Sequence, residues 1–495
     1  MKTINNILVT ISLLLSLTCM NSCKFLDKEP YDAVTSDQFH TSEEVVAAVN
    51  GAYQPMQWPK IYNMRIWTLD IVAGNSIVGA GGGTDGIETV DLANFTATSD
   101  NFGALDLWRG PAPGILRCNM VLENIEGVNM DQNLKNRCIG EVKFLRAHYY
   151  FLLVRLFGRV PLNLVPQKSL NDEGAPQAST EELYAQIKSD LNDAIQRLPL
   201  KSSYQSSDLG RATKEAAMAE LIRVYMTRRE NYADVIAMCD QIASYGYSLN
   251  EDYSDNFNPL KKNGKESIFE VQYFGKTSND FWDNTNQSSW LSTYTGPRNS
   301  GMVAGGWGWN QPTEEFVKQY ETGDNRKDKT ILYSGCPDFD GQSYQSSYST
   351  TGYNLRKFLV PLSIASDYNM SPANWVVTRY ADILLYKAEA LNELGMTKEA
   401  IEPLMEVRKR AGLTDRTKFL SMSQSEMRDA IIKERRIELA FEGQRWFDLI
   451  RLPDNYAENF FHSIGKTNFS SKNLLLPIPL LEMEANPKLV QNPGY

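Results

Sequence analysis

The chain has 495 residues, of which 42% are hydrophobic, 22% charged and 11% aromatic. These values are those of an ordinary globular protein, and they exclude a disordered, collagen-like or coiled-coil chain. Its 60 Asp and Glu residues outnumber its 50 Lys and Arg residues, which gives a formal charge of -10. Because a phosphate backbone attracts basic proteins, nucleic acid is not an expected partner.

Residues 1–22 are expected to be an export signal. Their apolar run, residues 7–17, is too short to span a bilayer as a stable helix. Small and polar residues then lead to Cys23, and a cysteine at such a position is the lipid acceptor of bacterial lipoproteins. We therefore predict lipidation of Cys23, which would hold the chain on a membrane. Cys19 is the competing acceptor, and secretion without a lipid is the other alternative.

The four cysteines that follow the signal are too far apart for a CxxC pair or a zinc finger: Cys118, Cys138, Cys239 and Cys336. No metal site is therefore expected. Buried free thiols are the simpler interpretation of these residues. An oxidising compartment would also suit a disulfide between Cys118 and Cys138.

Helical periodicity is found in several separate blocks of the chain. Apolar residues at steps of three and four predict helices over residues 42–54, 134–157, 180–198, 212–229, 232–245, 379–394 and 398–411. The second block is so apolar that we expect a central helix that is buried around most of its circumference. Only Glu230 and Asn231 separate the fourth block from the fifth, which predicts an antiparallel helical hairpin.

The last two blocks predict a second hairpin, which turns at Gly395. Its apolar residues stand at the packing offsets of a tetratricopeptide repeat: Leu384, Ala388, Leu391, Ala400, Leu404 and Val407. The earlier hairpin fits the same offsets except at Val235, where a smaller residue is usual, so a generic hairpin is the alternative. Repeats of this kind pack on each other and leave a concave surface for partners.

Two stretches lack a helical period: an irregular insertion at 56–99 and a region rich in Gly, Ser, Asn, Tyr and Trp at 251–375. Within the glycine-rich stretch 79–86, the segment from Gly81 to Gly86 matches the dinucleotide fingerprint GxGxxG. However, the sequence after it, IETVDLANFTATS, alternates like a strand, so we predict a loop and no phosphate site. A strand is predicted over 267–273. Binding chemistry is usually found on such loops, which a rigid scaffold positions.

Aromatic residues are concentrated in one part of the second stretch. Trp282, Trp290, Tyr294, Trp307 and Trp309 lie within 28 residues, interleaved with Gly, Asn, Ser and Arg. Indole faces stack on the apolar patches of sugar rings, while amide and guanidinium groups hydrogen bond to hydroxyls. This mixture is typical of a carbohydrate site, although core packing would explain any single tryptophan equally well.

The sequence contains no GxSxG or HExxH motif, and its three histidines are not at metal-ligand spacing. We expect His148 to pack inside a helix rather than to act in catalysis. The acidic and basic residues of 431–451 stand at helical ion-pair spacings, which predicts structural salt bridges. The two carboxylates that cleave a glycoside need to be close in space but not in sequence, so a glycoside hydrolase remains an alternative function.

Five segments together resemble the SusD/RagB family of outer-membrane nutrient-binding lipoproteins. They are SCKFLDKEP after the signal, EVKFLRAHYYFLLVRLFGRVPL at 141–162, RYADILLYKAEALNELG at 379–395, ERRIELAFEGQRWFDLIR at 434–451 and LPIPLLEMEANPKLVQNPGY at the C-terminus. The resemblance implies a mostly α fold, in which a tetratricopeptide-like helical-repeat scaffold supports a loop-rich irregular half.

The same resemblance implies a division of the chain after the signal peptide 1–22. Residues 23–250 would form an N-terminal helical region with the insertion 56–99. Residues 251–375 would form the loop-rich ligand-binding region, and residues 376–495 the C-terminal helical repeats.

The function that the resemblance implies is non-catalytic and needs no cofactor. Such a lipoprotein lies on the surface of a Gram-negative bacterium and is held in the outer membrane by its lipid anchor. It captures an oligosaccharide and delivers it to a SusC-like TonB-dependent transporter. A peptide-binding RagB-like member, a secreted glycoside hydrolase and a purely structural repeat protein are the alternatives.

The resemblance also suggests where the ligand binds. The segment GGWGW at 305–309 is similar to the place where glycan-binding members put a stacking aromatic, so Trp307 and Trp309 are the first candidates. The loop after Trp67, through Asn75 and the following glycines, resembles the other wall of the pocket. The remaining candidates for ligand binding are Trp290, Tyr294, Arg298 and Trp282.

Overall fold

The computed structural model of the chain describes residues 39–80, 85–166, 174–275 and 280–495. The predicted signal peptide and the predicted lipid acceptor Cys23 lie outside these residues. So do residues 81–84 of the glycine-rich segment. Within the described ranges, no helix combines the length and the apolar character that are needed to cross a bilayer.

The fold is mostly α, as the sequence predicted. In chain order the α-helices are α1 (Ser42–Tyr53), α2 (Arg65–Val72), α3 (Ile87–Asn94), α4 (Phe102–Arg109), α5 (Ala112–Asn124), α6 (Gln132–Phe157), α7 (Thr180–Arg197), α8 (Lys214–Arg228), α9 (Tyr232–Ser244), α10 (Leu291–Thr295), α11 (Glu314–Val317), α12 (Lys327–Thr330), α13 (Tyr380–Glu393), α14 (Ile401–Arg410), α15 (Gln424–Glu438), α16 (Arg445–Arg451), α17 (Tyr456–Ser463) and α18 (Leu480–Ala485). The strands are β1 (Ser76–Ile77), β2 (Ser267–Val271), β3 (Gln311–Pro312), β4 (Ile331–Leu332), β5 (Asn354–Leu355) and β6 (Trp375–Arg379).

Helix α6 lies at the centre of the N-terminal half. It begins at the N-cap Asp131, whose side chain accepts a hydrogen bond from the Leu134 amide at 2.9 Å, and ends at Gly158 with φ 71°. Nearly every residue from Cys138 onward is buried, because α5, α7 and α1 pack around it. A Cβ at Gly114 of α5 would overlap the ring of Tyr149, so glycine allows the two helices to approach closely.

The two predicted helical hairpins are confirmed. Helices α8 and α9 are joined by a turn in which Arg229 and Asn231 have positive φ, and α13 is followed by α14 after Gly395. All six predicted packing residues of the second hairpin are buried: Leu384, Ala388, Leu391, Ala400, Leu404 and Val407. Helix α9 packs on α13, and α13 packs on α15, so the hairpins stack into one helical layer.

Two antiparallel strand pairs join the loop-rich region to the helices. Strand β2 pairs with β6 from Ser267 opposite Arg379 to Val271 opposite Trp375, and β6 continues directly into α13. Strand β1 pairs with β3 through Ser76 opposite Pro312. These pairs attach the β2 and β3 segments of the loop-rich region to the rest of the fold.

The prediction that residues 56–99 are irregular was wrong, because α2 and α3 lie within them. The sequence at 87–94, which was expected to be a strand, is helical. Its buried residues are Thr89, Leu92 and Ala93, and these recur at helical steps rather than at alternate positions. The rejection of a dinucleotide turn still holds, since β1 pairs antiparallel with β3 and is no part of a βαβ unit.

The ion pairs predicted for 431–451 are present and buried. Glu438 of α15 accepts from Arg326 at 2.8 Å and also from Arg379, whose Nε donates to Glu442 at 2.9 Å. Each of these side chains is almost fully buried. Charged groups are buried at low cost only when they are paired and hydrogen bonded, so this network is structural.

The described cysteines are free and buried, and Cys118 is not bonded to Cys138. Burial raises the pKa of the Cys138 thiol to about 11, which makes it unreactive at neutral pH. His148 is also buried, as predicted, with Nδ1 2.8 Å from Glu220 Oε1 and Nε2 2.8 Å from the Tyr62 hydroxyl. It is part of the helix packing.

Candidate functional site

The fold brings the six aromatic candidates into one cluster. They are Trp67, Trp282, Trp290, Tyr294, Trp307 and Trp309. The ring of Tyr294 is central, with ring centroids at 4.7 Å from Trp307, 5.6 Å from Trp309 and 5.8 Å from Trp67. Trp282 joins the cluster through Phe281, whose ring lies 5.0 Å from it and 5.0 Å from Tyr294.

The GGWGW segment is held against α10 by main-chain hydrogen bonds. The amide of Trp307 donates to Thr293 O at 2.9 Å, and the amide of Trp309 donates to Tyr294 O at 2.8 Å. A Cβ at Gly306, where φ is 68°, would lie 2.7 Å from the Pro297 carbonyl oxygen. Only glycine therefore fits this close backbone approach without strain.

The cluster has a buried layer and an exposed layer. Trp307 is 36% exposed and Trp282 is 51% exposed, whereas Trp290, Tyr294 and Trp309 are buried. The expectation that Trp309 stacks directly on a ligand is therefore corrected, and the same holds for Trp290 and Tyr294. Their rings support the exposed rings from below.

The expectation that Trp67 and Asn75 contact the ligand is also corrected, since neither side chain has any exposed surface. Trp67 donates from Nε1 to Asn63 O at 3.0 Å and packs edge-on against Trp309 at 6.1 Å. The side-chain oxygen of Asn75 accepts from Arg436 Nε at 2.9 Å. Trp67 thus belongs to the base of the cluster and Asn75 to the packing around Arg436, and neither forms an open pocket wall.

Arg298 lies at the rim of the cluster and is about half exposed. Its guanidinium is 3.7 Å from the carboxylate of Asp85, which is equally exposed. Its Cβ stands beside Gly308, between the two tryptophans of the GGWGW segment. Arg298 is thus placed where a ligand on Trp307 could reach it.

Sequence reasoning missed Tyr368. This residue is 46% exposed, and its ring centroid lies 5.1 Å from that of Trp290. The backbone around it is fixed, because Thr293 Oγ1 donates to Tyr368 O at 3.1 Å. It stands 59 residues after Trp309 in the sequence, and only the fold brings it to the cluster.

Three exposed rings thus surround a buried aromatic base: Trp282, Trp307 and Tyr368. We call these three residues the aromatic platform. Trp290 supports it from below at 5.9 Å from Trp307, and burial raises the pKa of Tyr294 so far that its phenol stays neutral. Flat apolar faces fixed in this way are suited to stacking on another flat apolar face.

The charged groups beside the platform are mostly carboxylates. Asp280 and Asp283 flank the Phe281–Trp282 pair, and Asp367 directly precedes Tyr368; all three are exposed. Nowhere in the described ranges do three or more His, Cys, Asp or Glu side chains form a group that could hold a metal ion. These carboxylates can accept hydrogen bonds from a ligand.

Two family models match the chain. One, described as the SusD family, matches residues 265–495, and the other, described as starch-binding and associating with the outer membrane, matches residues 24–226. The chain is 28% identical to SusD-like protein P2 of Formosa agariphila, over 98% of this chain and 99% of that protein.

Solved structures agree with these matches. A laminarin-binding SusD-like protein is 30% identical and superposes with a TM-score of 0.81, covering 92% of this chain and all of that one. Surface glycan-binding protein A of Bacteroides thetaiotaomicron, in complex with laminarihexaose, is 26% identical with a TM-score of 0.76, covering 91% of this chain and 99% of that one. From these matches and its helical-repeat fold, the chain belongs to the SusD family.

Proposed function

We propose that this protein binds a glycan through the aromatic platform and does not cleave it. The observation that carries the proposal is the grouping of Trp282, Trp307 and Tyr368, which are large and exposed yet backed by buried rings. Soluble proteins rarely expose grouped aromatic side chains unless a partner covers them. Sugar rings present the flat C–H faces that such side chains bind.

The relatives support a glycan and suggest which one to test first. One similar structure is a laminarin-binding protein and another holds laminarihexaose. One matching family model is described as starch-binding. Laminarin, a glucan without charged groups, is therefore the first ligand for this site, and starch is the second.

We further propose that the protein is a lipoprotein of the outer membrane, on the cell surface of a Gram-negative bacterium. The description of one family model includes association with the outer membrane. Cys23 after the apolar run of the signal supplies the lipid acceptor. From this position the protein would hand its glycan to a SusC-like TonB-dependent transporter.

Affinity gel electrophoresis of the full-length lipoprotein tests binding and cleavage together. Gels containing laminarin, starch and other polysaccharides should retard the protein, while an assay for reducing ends should detect no product. Release of reducing ends would contradict binding without cleavage and would favour a hydrolase. Binding of oligopeptides in place of every polysaccharide would favour a RagB-like function.

Copurification separately tests whether the lipoprotein associates with a transporter. A tag on the lipoprotein should recover a TonB-dependent barrel from outer membranes solubilised in mild detergent, and Cys23→Ser should leave the protein without a lipid. If the native lipoprotein is recovered from the inner membrane alone, the proposed location is wrong.

A further inference from the structure

Among the described residues, the charges beside the aromatic platform that lack an ion-pair partner are negative. Among the described residues beside the three rings, Asp280, Asp283 and Asp367 are exposed carboxylates. The guanidinium of Arg298 lies 3.7 Å from the carboxylate of Asp85. The buried guanidinium of Arg65, which also acts on Tyr294, is paired with both Glu88 and Asp106. The pair of Arg298 and Asp85 has no net charge, so the unbalanced charges beside the rings are negative.

These carboxylates are placed by the same short segments that place the rings. Asp280 and Asp283 stand on either side of Phe281 and Trp282 in the sequence. Because consecutive Cα atoms are only about 3.8 Å apart, both aspartates lie close to the Trp282 backbone. Asp367 is fixed as well, because its Oδ1 accepts from the Tyr368 amide at 2.7 Å. Burial raises the pKa of Tyr294, the Arg65 guanidinium opposes that rise, and the carboxylates of Glu88 and Asp280 add to it, so the charge of Asp280 reaches the ring beneath Trp307.

We infer that the site selects uncharged glycans and rejects polyanionic ones, such as polysaccharides rich in uronate or sulfate. This inference rests on the proposed function, since it concerns the ligand of the same site. A polyanion on the platform would bring a regular series of negative charges within about 10 Å of Asp280, Asp283 and Asp367, which is one Debye length at about 0.1 M salt. Arg298 offers little compensation because Asp85 already neutralises it.

A matched pair of ligands tests the inference: laminarin and laminarin to which sulfate groups have been added. Titration calorimetry on the full-length lipoprotein in non-ionic detergent measures both affinities. At about 0.01 M salt, where the Debye length is about 30 Å, sulfated laminarin should bind roughly tenfold or more weakly than laminarin. We call the affinity for laminarin divided by that for sulfated laminarin the affinity ratio. At about 1 M salt, where the Debye length is about 3 Å, this affinity ratio should shrink.

The triple variant D280N/D283N/D367N separates charge from shape, since asparagine keeps the size and a hydrogen-bond acceptor. It should reduce the affinity ratio by roughly tenfold at low salt. The matched control D234N/D429N/D454N removes three exposed carboxylates elsewhere on the chain and should leave the ratio as it is. Circular dichroism checks that both variants are folded.

The outcomes distinguish this inference from the proposed function. Equal or tighter binding of sulfated laminarin by the native protein would overturn the inference and leave glycan binding in place. An affinity ratio that neither salt nor the triple variant changes would show that sulfate is excluded by its bulk, which also overturns it. Failure to bind any polysaccharide, charged or uncharged, would overturn the proposed function itself.

Discussion

The exposed indole of Trp307 rests edge-on against the buried phenol of Tyr294, with ring centroids 4.7 Å apart. The amide of Trp307 is also held by Thr293 O at 2.9 Å, in the helical turn that carries Tyr294. The ring is therefore fixed from two sides before any ligand arrives. A binding group that is fixed in advance loses little conformational entropy when it binds.

We expect Trp307→Ala to weaken glycan binding and to leave the stability of the fold nearly unchanged. A stacked aromatic contributes about 0.5 to 1.5 kcal/mol beyond burial, which corresponds to a loss of roughly 2- to 13-fold in affinity. Calorimetry with laminarin measures the change, and Tyr245→Ala is the control on the helical layer. Unchanged affinity in Trp307→Ala would show that the ligand binds elsewhere.

Tyr368 is expected to contribute through its ring rather than through its hydroxyl. Tyr368→Phe should keep the affinity within about twofold, whereas Tyr368→Ala should lower it by an amount similar to that of one stacking contact. The same titrations compare both variants. If phenylalanine is as damaging as alanine, the hydroxyl and not the ring face makes the contact.

Trp309→Ala should instead destabilise the protein. Trp309 is buried and contacts the rings of Trp67 and Tyr294, so its removal leaves a cavity under the platform. Replacing a buried Trp with Ala costs about 3 to 5 kcal/mol. Denaturant unfolding of this variant beside Trp307→Ala measures the difference, and equal stability of the two would contradict the division into buried and exposed layers.

Gly306→Ala should displace the GGWGW segment and weaken both folding and binding. At Gly306 a Cβ would lie 2.7 Å from the Pro297 carbonyl oxygen, whereas at Gly301, which also has positive φ, a Cβ meets nothing within 4 Å. Gly301→Ala therefore carries the cost of the positive φ alone, about 1 kcal/mol. Laminarin affinity in the two variants isolates the effect of the close approach. Similar losses in both would show that the approach is unimportant.

Asp70 should make stability depend on pH. Burial raises the pKa of Asp70 to about 7 from its ordinary value near 3.8, although the Gly443 amide donates to it at 2.8 Å. Between these values the folded protein binds more protons than the unfolded chain, so this group lowers the free energy of unfolding as pH rises from about 4 to about 7. The loss is on the order of 4 kcal/mol over the full range.

Denaturant unfolding at a series of pH values checks this prediction. Asp70→Asn should flatten the decline between about pH 4 and pH 7, because an amide does not titrate in that range. The control Asp234→Asn, on an exposed residue of α9, should keep the native slope. Identical slopes in the native protein and in Asp70→Asn would show that other groups cause the decline.

Much of the fold could be predicted because the apolar faces of its helices recur at regular steps. The predicted block 134–157 matches α6, which begins two residues earlier, and the strand at 267–273 matches β2. Helix α3 was missed because its eight residues alternate in polarity at first sight. Its burial is set by its neighbours α2 and α4, which a local pattern does not reveal.

The sequence allowed us to predict which segment of the chain carries the candidate site, but not which of its aromatic side chains are exposed and which are buried. Trp307 and Trp309 are two residues apart in a glycine-rich segment, yet one is exposed and the other is buried. Composition cannot separate them, because aromatic side chains suit both cores and ligand sites. Tyr368 could not be found at all, since its place beside Trp290 depends on hydrogen bonds between distant segments, such as those from Thr293 Oγ1 to Tyr368 O and from Ser289 N to Ser371 O.

The main-chain attachment of the GGWGW segment has a consequence for the evolution of ligand choice. The hydrogen bonds from Trp307 N and Trp309 N to α10 do not involve the side chain at position 307. Mutation there can change the shape of the ligand surface while the backbone path and the rings below persist. Libraries randomised at 307 and 368 should therefore remain folded and supply new sugar specificities on one inherited scaffold.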